Sequence, residues 1–182
     1  MQRYGLMVLF LVSCWSDAHT FTMGKPVPAV SVADKGEMQL RNGQIHYQTW
    51  NSQSLTGKAR LLIHVAGRLS AKEQSAGLIS AIQQASLPEK TFQTTTIVNT
   101  DDALPGSSIF VVNSIRASKK ASPWQQFIID SSGLARHRWQ LKPGGAAAIV
   151  LDAQGNVQFA KDTPLSADDI SQIISLLRVL TR

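Results

Sequence analysis

Apolar residues along the chain fall into runs, alternations and helical stripes, and each pattern predicts a different element. Leu61 to Ala66 is a nearly continuous apolar run broken only by His64, the pattern of a strand covered on both faces. Phe92 to Asn99, Phe127 to Asp130 and Ala146 to Asp152 read the same way. Gln44 to Trp50 alternates polar with apolar or aromatic residues, as a half-buried strand does, and Val30 and Val32 alternate ahead of it. Pro26 and Pro28 mark the entry to this region, Arg41-Asn42-Gly43 a turn within it, and Asn51 to Thr56 a connector after it. Gln154-Gly155-Asn156 turns the last long run back into Val157 to Ala160 as a hairpin.

Two segments carry helical spacing. After Gly67, a glycine able to turn the chain with positive φ, Ser70 and Glu73 have the spacing of a reciprocal N-terminal cap. A helix is therefore predicted from about Ser70, with Leu78, Ile79 and Ile82 on its apolar face and Pro88 ending it. Ser166 and Asp169 form a second capping pair, ahead of a stripe of Ile170, Ile173, Ile174, Leu177 and Leu180. Ser107 to Lys120 fits two readings. Ile109 to Val112 suits a strand, whereas Phe110, Ile115 and the polar tail suit an amphipathic helix. No internal repeat or low-complexity tract interrupts the pattern.

The strand, turn and helix order of an α/β protein directs the search for chemistry to the carboxyl ends of the strands. The helix beginning near Ser70 exposes N–H groups there, with Arg68 just outside and Lys72 in the first turn, which suits a small anion or the acidic group of a partner. The plainer reading is that Ser70 only caps and Arg68 only meets solvent. Asn99, Asp101 and Asp102 follow the next strand and face the same region. Adjacent carboxylates can bind a cation or work as acid and base, yet neighbours usually point apart, and an Asp-rich loop before Pro105-Gly106 is also ordinary turn chemistry.

His19, His46, His64 and His137 lack the close spacing of a zinc site. His64, inside an apolar strand, reads first as a core residue and second as a ligand or base. Trp50, Trp124 and Trp139 read as core anchors rather than stacking platforms. Ser70 has no base or orienting acid near it in sequence.

Composition narrows the picture further. Arg3, the apolar stretch Leu6 to Val12 and the small-x-small Ser16-Asp17-Ala18 read as an export signal cleaved after Ala18, leaving residues 19–182 as one domain. A second reading takes Leu11-Val12-Ser13-Cys14 as a lipoprotein box, with Cys14 keeping a lipid. Under the first, Cys14 leaves with the signal, so the mature chain has no thiol and forms no disulfide. No stable membrane insertion is then expected. The new terminus would be His19, whose amine and imidazole together can chelate Cu(II). Arg3 and Asp17 cancel, so the mature chain keeps the formal charge of +6. Its Lys and Arg residues are dispersed apart from Lys119-Lys120 and accompany no nucleic-acid motif, so no nucleic-acid partner is expected.

Gly57-Lys58, a buried strand and a turn into a helix resemble the approach of the redoxin branch of thioredoxin-like proteins to its active site. That branch places Cys-x-x-Cys at the start of the helix. Counting from Gly57-Lys58 puts Leu69 and Lys72 at those positions, and Ala146 where redoxins keep a cis-proline, with Pro143 displaced by three. A more specific resemblance is to the YtfJ family, small exported proteins of Gram-negative bacteria with a thioredoxin-like fold and no assigned activity. It rests on His64-Val65-Ala66-Gly67-Arg68, Ser70-Ala71-Lys72-Glu73, Thr94 to Asp102 and Trp139-Gln140-Leu141, and covers essentially the whole mature chain.

The resemblance implies an α/β three-layer sandwich, with a central mixed sheet, helices on both faces and a hairpin region over Pro26 to Trp50. It also favours a helix for Ser107 to Lys120. With both redox hallmarks missing, thiol-disulfide exchange is not expected. The expected function is a periplasmic binding or accessory module for a protein partner or small anionic ligand, without cofactor, on a face including His64, Arg68, Ser70, Lys72, Asn99, Asp101 and Asp102. The alternatives are a cysteine-independent enzyme built on that polar set, and a copper-binding protein using His19.

Overall fold

The computed structural model describes residues 19–182, so the stretch expected to be an export signal, with Cys14, lies outside the described residues. Seven strands form one sheet: β1 (Ser31–Arg41), β2 (Gln44–Asn51), β3 (Ala59–Ala66), β4 (Phe92–Asn99), β5 (Gln126–Asp130), β6 (Ala146–Leu151) and β7 (Val157–Lys161). Their order across the sheet is β2-β1-β5-β4-β3-β6-β7. The middle three, β5-β4-β3, run parallel, and every other pairing is antiparallel. Gly36, at φ +73°, forms a bulge in β1, which pairs with β2 along one edge and with β5 on the other. A Cβ at that position would run into the Gln48 carbonyl.

Among the described residues four α-helices complete the sandwich: α1 (Leu69–Ala85), α2 (Ser108–Ala121), α3 (Leu134–Trp139) and α4 (Ala167–Leu180). The ambiguous segment after Ser107 is therefore helical. The two connections β3-α1-β4 and β4-α2-β5 step across the sheet in the same direction, which with right-handed crossovers puts α1 and α2 on one face. On that face Leu61 and Ile63 of β3 pack with Leu78 and Ile82 of α1 and Ile173 and Leu177 of α4. Beneath α2, Val112 packs with Met38, Val98, Phe127 and Ile129. The opposite face is closed by α3 and residues 19–30, where Trp139 is fully buried, donates from Nε1 to the Pro28 carbonyl at 2.8 Å, and packs at a tilt against the Phe21 ring.

Several sequence expectations need correction here. Ser70 caps nothing: α1 begins one residue earlier, its N-cap position is Arg68, and no side chain closes it. Gly67 is not held at positive φ. Its lack of a Cβ serves close approach instead, since a Cβ would stand 3.1 Å from both the Asn99 carbonyl and the Ala103 methyl. Trp50 and Trp139 are core anchors, but Trp124 is exposed. Helix α1 ends at Ala85 with Ser86 in the left-handed region, ahead of Pro88. Of its apolar stripe Leu78 and Ile82 are buried, whereas Ile79 is exposed. Helix α3, unforeseen in the sequence, is too short to show a full periodic stripe.

The second capping pair is present in full: Ser166 accepts from the Asp169 N–H, and the Asp169 carboxylate accepts from the Ser166 N–H. Ser166→Ala is expected to cost about 1 kcal/mol in chemical denaturation, and Ser70→Ala to stay within about 0.5 kcal/mol. Equal effects would contradict the different roles of the two serines.

Candidate functional site

The carboxyl ends of β3, β4 and β5 meet the loop before β6, and the polar residues picked out from the sequence converge there. The Ala66 N–H donates to the Gly145 carbonyl and the Gly67 N–H to the Asn99 carbonyl, so the turn into α1 is tied on both sides. Asp102 stands at the centre. Its Oδ2 accepts from the Gly144 N–H at 2.9 Å and from Asn99 Nδ2 at 3.4 Å, and lies 3.7 Å from Arg136 Nε. Its Oδ1 lies 3.8 Å from an Arg68 guanidinium nitrogen, and Arg68 Nε donates to the Asp102 main-chain carbonyl. One carboxylate thus joins α1, the β4-α2 loop, α3 and the loop before β6.

Asp101 and Asp102 differ in burial but approach the same Arg136 guanidinium. Asp101 is half exposed and only approaches Arg136, at 4.0 Å, while its backbone N–H donates to Asn99 Oδ1. Asn99 is fully buried. Asp130, also fully buried, accepts from the N–H groups of Leu134 and Ala135 and so holds the start of α3, which carries Arg136. Burial raises the Asp130 carboxyl above its ordinary range against the pull of those N–H donors.

His64 is buried beside this network, and its Nε2 has no hydrogen-bond partner. Desolvation pushes it down to about 4; Asp102 acts in the opposite direction and Arg136 adds to the fall. It is a neutral imidazole at pH 7, with no hydroxyl or carboxylate bonded to it. A base so weak is poorly matched to proton abstraction near neutrality. The Asp102 carboxylate, surrounded by donors and cations, is likewise committed to holding loops together.

Arg68, with a side chain 40% exposed, and Lys72 face outward from the start of α1. Among the described residues Lys72 makes no ion pair. Ser70 is exposed and takes no part in the network. His19 lies far from it in role, its ring 5.1 Å from that of Phe21 with Nδ1 buried. Among the described residues no group of three or more His, Cys, Asp or Glu side chains is placed to hold a metal. No helix among them is long and apolar enough to cross a membrane.

Of the residues expected to share a face, His64, Arg68, Asn99, Asp101 and Asp102 are brought together, Lys72 stands at the edge, and Ser70 is left out. Arg136 and Gly144 were missed. The signal for Arg136 was the pair Ala135 and Trp139 at helical spacing after Gly133, which together with Asp130 would have placed a short helix there.

A family model described as "Bacterial protein of unknown function (YtfJ_HI0045)" matches residues 21–180. The chain is 48% identical over 176 residues to a protein of Escherichia coli K12 described as "Uncharacterized protein YtfJ", covering 97% of this chain and 96% of that one. It is 37% identical over 175 residues to an uncharacterised protein of Haemophilus influenzae, covering 96% and 94%. Among solved structures it is similar to the thioredoxin domain of a thiol-disulfide oxidoreductase from Bacteroides vulgatus, with a TM-score of 0.56 and 13% identity over 90% of this chain and all of that one. That likeness concerns the fold, which is thioredoxin-like.

Proposed function

The chain belongs to the YtfJ family, and from that premise we propose that it is an exported, periplasmic binding module on a thioredoxin-like scaffold that has given up thiol chemistry. Export rests on the sequence of residues 1–18, with cleavage after Ala18 releasing a single domain. The observation that carries the binding reading is the Asp102 network. It fixes four segments around the position where a redoxin would present its cysteines, yet it pairs no nucleophile with a base there, and the half-exposed Asp101 faces only Arg136. At the start of α1 two cations face outward, Lys72 without an ion-pair partner and Arg68 held by Asp102, and the half-exposed carboxylate of the site, Asp101, is turned to Arg136. Such a rigid, cationic face suits a small anion or an acidic group on a partner protein.

The test is native mass spectrometry of the untagged protein recovered from the periplasmic fraction. The expected chain begins at His19 and carries a non-covalent adduct that Lys72→Glu depletes. Thermal unfolding of that variant should stay within about 0.5 kcal/mol of the parent, because the lysine holds nothing in place. A chain beginning at a lipid-modified Cys14 would overturn release into the periplasm. A substrate turnover abolished by His64→Ala in a folded protein would replace binding with catalysis.

A further inference from the structure

The sheet face that carries α1 and α2 is not closed between them. Helix α1 packs on β3, β6 and α4, with Gly77 close to Ile170, whereas α2 packs over β1 and β5. The two helices are drawn to opposite sides and leave the middle of the sheet uncovered. A groove of about 550 Å³ results, floored by β3 and β4. Thr96, on a strand hydrogen-bonded on both sides, is only half-buried because of it. Strands paired on both edges in a parallel sheet are ordinarily covered by helices.

The walls are apolar and partly exposed. Ile79 of α1 and Phe110 of α2 line the groove, and Phe110 is 74% exposed at its mouth. Ile82, Val111 and Ile115 continue it inward. Leaving these side chains unburied forgoes stability that a closed core would provide. The volume lies within the usual range for small-molecule sites.

Charge and hydrogen bonding select the occupant. The ionisable groups in the lining are Arg68 and Lys72, both cationic and both at the end where α1 begins; no acidic residue lines it. Of the hydroxyls along the groove, Ser75 is turned to the Ala71 and Lys72 carbonyls and Ser118 to that of Ser114, while Thr94, Thr96, Ser114 and Ser122 line it as isolated side-chain hydroxyls. The backbone of β4 is paired on both sides. A peptide laid here would bring a row of N–H and C=O groups with no strand edge to pair with, only scattered side chains. An alkyl chain brings none. From Leu69 to Gln83 the groove follows α1 for roughly 20 Å, which suits an extended ligand.

We propose that the groove between α1 and α2 binds a single-chain amphiphile with an anionic head, such as a straight-chain alkyl carboxylate, its tail between Ile79 and Val111 and its head at Lys72 and Arg68. The proposal rests on the binding reading above and names its ligand class.

Titration of the delipidated protein with sodium dodecanoate, followed by the methyl resonances of Ile79, Ile82 and Ile115, tests it. The expected result is saturable binding with shifts confined to those methyls, tightening about three- to fourfold for each methylene added between octanoate and dodecanoate. Dodecanol should bind more weakly, Lys72→Glu should lose about tenfold for dodecanoate and not for dodecanol, and Ser114→Trp, which fills the groove, should abolish both. Absence of saturable binding, or shifts elsewhere in the sheet, would overturn the site. Equal affinity for acid and alcohol would overturn the anionic head. If dodecanoate fails while the adduct of the recovered protein still depends on Lys72, the ligand class falls and the binding reading stands.

Discussion

Acidification from pH 6.5 to 4 is expected to remove about 3 kcal/mol of stability through His64 alone. Its imidazole is buried and held at about 4, whereas in the unfolded chain it titrates near 6.5. Between those values the unfolded state binds the extra proton and the folded state does not, so the stabilising contribution is complete above pH 6.5, falls as the pH drops, and is lost below about 4. The interval of about 2.5 pH units corresponds to about 3 kcal/mol. Asp130 acts with the opposite sign. Its carboxyl is raised by burial, so the folded state holds that proton more readily and gains relative stability on acidification.

Urea unfolding of the parent and of His64→Leu across this window separates the two, because the variant keeps Asp130 and loses the imidazole. The parent curve should fall by about 3 kcal/mol more than the variant curve. Parallel curves would mean that the His64 imidazolium reaches solvent or a hydrogen-bond acceptor, contrary to its burial.

The second large effect is expected from Asp102→Ala, at about 3 kcal/mol, or roughly 6–12 °C in melting temperature for a chain of this size. The carboxyl is 12% exposed. Its removal strips the Gly144 N–H of its acceptor and leaves Arg136, a largely buried cation whose Nε already lacks a hydrogen bond, with only the half-exposed Asp101 as counter-charge. Asp102→Asn separates the two contributions. It keeps an acceptor for Gly144 and loses the charge facing Arg68 and Arg136, so it should fall between parent and Asp102→Ala. Hydrogen exchange adds a local check: protection should drop at Gly144 to Ala146 and in α3, the segments that meet at the carboxylate. Unchanged stability in Asp102→Ala would show the network to be incidental, and would remove the rigid platform on which the binding reading depends.

The Asp102 network and the groove lie on opposite sides of one sheet. His64, Asn99 and Asp130 project to the side of α3, whereas Ile63, Thr96 and Val98 project toward the groove. Arg68, at the end of β3, borders both. A ligand head drawn to Arg68 and Lys72 would therefore rest against the turn that Asp102 fixes, while its tail lay on the other side of the strand. The network is the support and the groove is the space. Neither needs the cysteines that the same scaffold carries in thiol-disulfide oxidoreductases.

Much of the framework was readable from local pattern. The apolar runs at Leu61 to Ala66, Phe92 to Asn99 and Ala146 to Leu151 are strands, and the Ser166 cap starts a helix. These follow from side-chain alternation and short-range backbone satisfaction, which involve residues a few positions apart. The missing Cys-x-x-Cys, with Leu69 and Lys72 in its place, needs only the sequence as well. Tertiary structure alone decided the rest. Ser70 and Glu73 have the spacing of a cap, but Arg68 takes that position because Gly67 is pinned against Asn99 and Ala103. Asp102 meets Gly144 and Arg136 only after two crossovers and an antiparallel return bring distant segments to one end of the sheet. Ile79 and Phe110 are apolar in helices, yet whether they are buried depends on where neighbouring helices pack, and α1 and α2 lean apart. Periodicity says which side of a helix is apolar; only the packed structure says what, if anything, covers it.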